Sequence, residues 1–388
     1  MFARNKSNNL CMSISIQEVT EKKGLKAFIN LPYALYKGNK WNIPLLRFDE
    51  EGTLRKDKNP AFDYCEARYW LAYRDGKVVG RIAGIINHAF IEKWKNKYVR
   101  FGWIDFENDP EIARLLLDEV EKWAKERGME AVHGPLGFTD LDHQGTLVEG
   151  FEELGTLGAL YNHAYYPGII ESCGYEKDAD WVEYQITLGK ELPEKLITIA
   201  GIVQKRLGLT IIKAKRAKEI LPYAKAIFEL INEAYSELYG VVPLSEKQIT
   251  YYTKLYFSFI KPEFVSLITD SNGKLAAFAI TMPSLSKALQ KAKGSILPFG
   301  FIHILKALKK NKLADLYLIA VRKDLQGKGV NACLMLEINK AYLEFGIELV
   351  ETNPELELNI KVQSFWAHYN ARQHKRRRCY IKKIQHLK

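Results

Sequence analysis

Leu316-Tyr-Leu-Ile-Ala-Val-Arg-Lys-Asp-Leu-Gln-Gly-Lys-Gly-Val-Asn-Ala-Cys-Leu-Met335 is the stretch on which the reading of this chain turns. The apolar run Leu316 to Val321 predicts a buried strand. A short polar turn follows, then Gly327-Lys-Gly329, and an amphipathic helix pattern begins near Val330. Strand, glycine turn and helix in that order build an anion site. Glycine lets the backbone curl without a Cβ penalty. Successive N–H groups can then converge on one anion at the positive end of the helix dipole.

Four readings of the turn compete. The nucleotide P-loop needs Gly-Lys-Ser/Thr, and Val330 follows Lys328-Gly329, which excludes it. The dinucleotide fingerprint matches at Gly327, Gly329 and Ala332, with Glu351 near the place of the ribose-binding acid. Against it, Arg322 to Gln326 separate strand from glycine, and 37 residues after Glu351 are too few to finish a doubly wound sheet. The pyrophosphate of an acyl-coenzyme A fits the turn best. An ordinary structural turn is the remaining alternative.

At these residues the chain resembles the GNAT family of coenzyme A-dependent acyltransferases, whose pattern is Gln/Arg-x-x-Gly-x-Gly/Ala. Gln326, Gly329 and Asn331 fall on those positions, and Asn331 departs from the small residue expected there. The resemblance runs from about Leu209 to the C-terminus, and the whole chain is similar to two-domain proteins of this type. It implies an α/β (α+β) fold of two tandem GNAT-like domains, each a mixed, mostly antiparallel sheet flanked by helices. It also implies acetyl-CoA or another acyl-CoA as co-substrate, bound by Ile319 and Val321 at the pantetheine arm and by Gln326, Gly327, Lys328, Gly329, Val330 and Asn331 at the pyrophosphate. Asn359 matches the family's asparagine at the start of a later helix. The family's usual acid, seven residues on, is Trp366 here, and indole cannot protonate a thiolate. Tyr369, one helical turn further and on the same face, is the candidate.

Acyl transfer to an amine needs a group that takes the amine's proton and one that serves the departing thiolate. Glu351, closing the apolar run after the cradle helix, is the expected base. Glu355, Glu357 and Asp315 are the alternatives, and burial would raise the pKa of Asp315. Direct transfer in a ternary complex needs no protein nucleophile. The acceptor would be a small-molecule or peptide amine; a long-chain or lipid-directed acyltransferase and a non-catalytic acyl-CoA-binding or interaction protein are the alternatives.

The 388 residues are 47% hydrophobic and 27% charged, enough for two globular domains. No run of 18 apolar residues predicts a membrane span. Five cysteines without C-x-x-C spacing point to a reducing cytoplasm. No histidine spacing suggests a metal.

A low-resolution repeat with an offset of about 210 residues organises the chain. Hairpins are predicted at Arg68 to Asn87 and Glu263 to Met282. Each is followed by a strand, a helix, a short strand and a last strand, near Asp180 to Leu188 and Cys379 to Ile384. The expected division is a frayed start at 1–12, a degenerate domain at 13–190, a linker helix at 191–208 and the coenzyme A domain at 209–388. Where the second half has its cradle, the first has Glu107-Asn-Asp-Pro110, acids that would repel pyrophosphate. The first half would then support, dimerise or shape the acceptor groove, using loops that carry Asp140, Asp142, His143, Tyr161 and His163.

Two basic features remain. Residues 372–388 carry eight cations and no acid, leaving +3 of the net charge of +11 for the rest. Their Lys375-Arg-Arg-Arg378 run reads as a solvated turn before the last strand. Nucleic acid is disfavoured by the lack of interleaved aromatics. Ser284 to Lys312 is a basic amphipathic insertion, either a lid packed on the domain, or a cover for a long acyl chain or a membrane-touching site.

Overall fold

The computed structural model describes residues 13–257, 260–366 and 369–385. The expected frayed start, with Cys11 and Met12, falls outside them. The first half supplies strands β1 (Ser15–Glu18), β2 (Cys65–Arg74), β3 (Lys77–Asn87), β4 (Tyr98–Phe106), β5 (Ala131–Gly134), β6 (Thr146–Glu149) and β7 (Glu176–Thr187). The second supplies β8 (Thr210–Ile212), β9 (Val265–Thr269), β10 (Leu275–Pro283), β11 (Leu313–Val321), β12 (Leu349–Thr352), β13 (Glu355–Leu356) and β14 (Asn370–Lys383). Helices flank both halves, so the architecture is α/β with two mixed sheets in tandem.

The two sheets join into one. Its order is β1-β2-β3-β4-β5-β14-β7-β12-β11-β10-β9-β8, with β6 and β13 paired off this path. Each half runs antiparallel up to one parallel pair, β4 with β5 and β11 with β12. The halves exchange their last strands. The end of β7 pairs with β12, the end of β14 pairs with β5, and β7 and β14 pair with each other from Asn370↔Thr187 to Ile381↔Glu176. The long β7–β14 ladder therefore sits at the centre of the molecule and closes it.

Both central strands carry a bulge. On β11, Leu316 opposes Thr281 and Leu318 opposes Ile280, leaving Tyr317 extra. On β4, Trp103 and Ile104 stand where the partner offers Ile82, and Trp103 adopts φ +45°. One extra residue switches the faces of a strand whose side chains alternate. Leu316 packs under the helix Val330–Phe345, whereas Leu318 and Ala320 pack on the opposite side. The strand is thereby re-aimed at the point where it parts from its parallel neighbour.

The basic run does not form the solvated turn expected of it. Lys375 to Arg378 lie inside β14, and Lys375 and Arg377 are each 1% exposed. Alternation sends those two into the interior and Arg376 and Arg378 to the other face, where Asp180 meets both. All four cations are matched by carboxylates.

Candidate functional site

The cradle is built as the turn chemistry demands. The carbonyl of Val321 accepts the Gln326 amide nitrogen at 3.0 Å, and buried Leu325 anchors the short turn Lys323–Leu325. Arg322 turns away to Asp270 and Asp324. Gly327 and Gly329 hold φ +73° and +87°, the left-handed region that glycine enters freely. Gly329 then caps the 16-residue helix Val330–Phe345. Gln326 to Gly329 and Asn331 are exposed, while Val330 is buried beneath them. The helix Glu194–Leu207 braces the loop from the side. Its Arg206 donates to the Lys328 carbonyl at 2.9 Å. A Cβ on Gly329 would stand 2.9 Å from Val203.

Beyond Leu316↔Thr352 the parallel strands part. β12 turns toward β7, against which β13 pairs, while β11 continues alone on that edge. Side chains cap the carbonyls along the opening. Asn353 reaches Tyr317 at 2.9 Å, and the Tyr235 hydroxyl reaches Ile319 at 2.9 Å. Ile319 and Val321, the expected pantetheine contacts, thus line the opening between cradle and bulge.

At the apex of the opening, register places Asp315 directly beside Glu351. Both are buried, at 1% and 4% exposure. The Glu351 carboxylate is held by Lys375 at 2.9 Å and by the Gln185 amide at 3.1 Å. Lys375 also reaches Glu183, which Arg377 binds at 2.5 Å. Burial opposes the ionisation of Glu183, but the Arg377 and Lys375 charges prevail and hold its carboxyl below the usual range. Among the described residues no cation pairs with Asp315. Burial and then the neighbouring Glu351 charge push it up to about 7, and its Oδ1 makes no hydrogen bond among the described residues. His374 stands between Glu153 and Glu351 at 3.4 Å from each, and burial holds its imidazolium form down.

The segment after the opening carries the other expected groups. Asn359 precedes the helix Ile360–Trp366. Trp366 is 2% exposed and donates its indole N–H to both oxygens of Glu355, at 2.9 and 3.0 Å. Burial pushes Glu355 up to about 8 against that bond. The Tyr369 hydroxyl accepts from Asn339 of the cradle helix at 3.4 Å, and burial raises its pKa. Glu357 is tied on the surface side to Lys177 and Arg376, away from Asp315. Sequence reasoning missed Lys375, Glu183, His374 and Tyr235. Each enters from a distant segment, and only the odd alternation of charge in β14 hinted at it.

Among its described residues the first half has no such cradle. Asp109 occupies the equivalent helix start, accepting the Glu111 N–H at 2.9 Å and meeting Arg74. The loop acids expected at an acceptor groove turn inward: Asp142 accepts the Thr139 N–H at 2.8 Å, and Asp140 is held by Gln144. This part of the chain instead covers the charged apex. Arg372 binds Glu153, Arg377 meets the Leu160 carbonyl, and Gly158 packs against Asn353. The fold also gathers His133, Asp178 and Cys379, donor atoms within 4.8 Å of one another that sequence spacing does not reveal. The Tyr239 hydroxyl touches all three.

No family model matches the chain. Two curated proteins resemble it along most of its length. Protein YghO of Escherichia coli (strain K12) is 27% identical over 379 residues, 95% of each chain. The bacterial ceramide synthase of Caulobacter vibrioides (strain NA1000 / CB15N) is 27% identical over 346 residues, 87% of this chain and 88% of that one. Among solved structures, a tandem GNAT protein from the clavulanic acid biosynthesis pathway superposes with a TM-score of 0.57 at 12% identity, covering 97% of this chain and all of the other.

Proposed function

We infer, from the tandem GNAT fold that this chain has, that it is an acyltransferase moving an acyl group from coenzyme A to an amine, with its donor site in the second half. One observation carries the reading. An exposed glycine cradle heads a long helix, one short turn after a strand that opens at a bulge and carries a buried carboxyl raised to about 7. Gln326 to Asn331 would hold the pyrophosphate, and the edge at Ile319 and Val321 would align the pantetheine arm. Asn359 would face the arm from the other wall.

Asp315 is the group best suited to accept the amine's proton. Glu351, the expected base, is already engaged by Lys375. It acts on Asp315 as a fixed negative charge, which keeps the Asp315 carboxylate basic. The amine nitrogen attacks the thioester carbonyl, Asp315 takes the nitrogen's proton, and the C–S bond breaks. Glu355 and Tyr369, both protonated at neutral pH, are the two groups that can return a proton to the sulfur. Trp366, in place of the family's tyrosine, serves by orienting Glu355.

Acetyl-CoA is the default donor. A second reading, a long-chain donor or a lipid amine acceptor, is favoured by the helical insertion and by what the Caulobacter relative is named for. Met282 and Leu285, flanking buried Ser284, belong to the apolar cluster that the insertion builds on Ile43, Leu154 and Leu157. Met282 stands directly opposite Asp315 across the β10–β11 ladder, so the proposed base lies under an apolar roof. Thiol release separates the readings. The protein is given acetyl-CoA with a short soluble amine and palmitoyl-CoA with a long-chain amine. Faster release with the long pair supports the lipid reading, faster release with the short pair supports acetyl transfer, and none with either refutes both.

A further inference from the structure

The insertion between β10 and β11 forms two helices, Ser286–Ala292 and Gly300–Lys309. The inner face of the second, with Ile304, Ala307 and Leu308, completes the apolar roof. Its outer face is apolar as well, and nothing among the described residues covers it. Leu297 is 73% exposed, Phe299 68%, Leu305 59%, Phe301 41% and Ile302 37%. Scattered exposed leucines are ordinary, whereas five large apolar side chains within nine residues form a patch that calls for a partner.

Charge says which partner. Ser284 to Ala314 contains seven lysines and no acid. Helical geometry sorts the outer face into two rows, Phe301–Leu305–Lys309 and Ile302–Lys306–Lys310. Each row begins apolar and ends basic. Among the described residues no carboxylate pairs with Lys306, Lys309 or Lys310, although the molecule matches most of its buried cations. An apolar patch rimmed by free lysines complements a surface that is anionic at its boundary and apolar beneath. That is a bilayer carrying anionic lipid, against which long lysine stems snorkel. A soluble acidic protein would answer the lysines but leave the two phenylalanines and the leucines unmatched. No described helix is long and apolar enough to cross a membrane, so contact would be with one leaflet.

We propose that the outer face of Gly300–Lys309, with Leu297 and Phe299, docks the protein on anionic membrane surfaces. The inner face of the same helix roofs the Asp315 apex, so docking would bring the lipid surface to the mouth of the acceptor site. In purpose, though not in evidence, the inference rests on the lipid reading of the function. Its test is independent of turnover. The full chain, without acyl-CoA, is sedimented with vesicles of phosphatidylcholine alone and of equal parts phosphatidylcholine and phosphatidylglycerol. The expected result is binding to the anionic vesicles that weakens as salt rises. Reversing Lys306, Lys309 and Lys310 to Glu should weaken it about a hundredfold or more, from roughly a factor of five per charge. A second variant, Leu297→Ser with Phe299→Ser and Leu305→Ser, should abolish binding while leaving the thermal midpoint near that of the parent. No vesicle binding by the parent overturns the proposal, as does equal binding by either variant. Concentration-dependent dimerisation lost in the serine variant, without vesicle binding, would assign the face to a second copy and also overturn it. Thiol release with a soluble amine would stand in all of these cases.

Discussion

Asp315→Asn should slow acyl transfer by about 10²–10⁴-fold, the range for losing a positioned base, while leaving acyl-CoA binding within a factor of a few. The parent's kcat/KM should rise with pH through about 7 as Asp315 ionises, and the variant should lose that limb. Stability should move the other way. A carboxyl whose folded pKa is raised from 3.8 to about 7 costs stability once pH exceeds its unfolded value, and the full cost is present above about 7. Asparagine keeps the shape, can still accept from Tyr317, and carries no charge. The variant should therefore melt higher than the parent at pH 8, and the difference should vanish as pH falls toward 3.8. A merely structural Asp315 would not produce a slower enzyme that is also more stable. A variant with full activity and an intact pH limb would remove Asp315 from the mechanism.

Lys375→Met should destabilise the fold by about 3–5 kcal/mol, the cost of removing one partner from a buried ion pair. Lys375 is 1% exposed and stands between Glu183 and Glu351, at 0% and 4%. Without it, Arg377 remains for Glu183, and Glu351 is left beside Asp315 with the Gln185 amide and the His374 ring in place of the lysine charge. Two carboxyls at adjacent register positions cannot both stay ionised there, so one takes up a proton. The loss should be large at pH 8 and shrink in mild acid, where protonation relieves the unpaired charge. Urea unfolding at both pH values measures it. The pair Lys375→Met and Glu351→Gln should recover much of the loss, since it removes both charges together. No recovery would show that Lys375 acts through packing alone.

The legible parts of this protein were local. Glycine spacing after an apolar run located the turn that heads Val330–Phe345, because left-handed backbone at Gly327 and Gly329 leaves a direct mark on sequence. Asp75-Gly76 and Asn272-Gly273 marked the two hairpins for the same reason. Strand partners leave no such mark. β7 and β14 each read as the last strand of its own half, and nothing in their alternation tells that each lies beside the other half's parallel pair. Lys375 to Arg378 resembled a solvated turn because its neutralising acids lie at 183, 351 and 180. The pairing of Asp315 with Glu351 follows from parallel register, and the bond from Trp366 to Glu355 from the fold of a short segment. Neither is written in spacing.

A coenzyme A site at the head of Val330–Phe345 is open to calorimetric titration of the full chain with acetyl-CoA and palmitoyl-CoA. Lys328→Glu is the paired variant, because position 328 is exposed and free of the positive φ that constrains its glycine neighbours. The expected result is saturable binding of at least one donor, weakened about tenfold or more when glutamate stands beside the pyrophosphate. Failure of the parent to bind either donor, or equal binding by the variant, would contradict it.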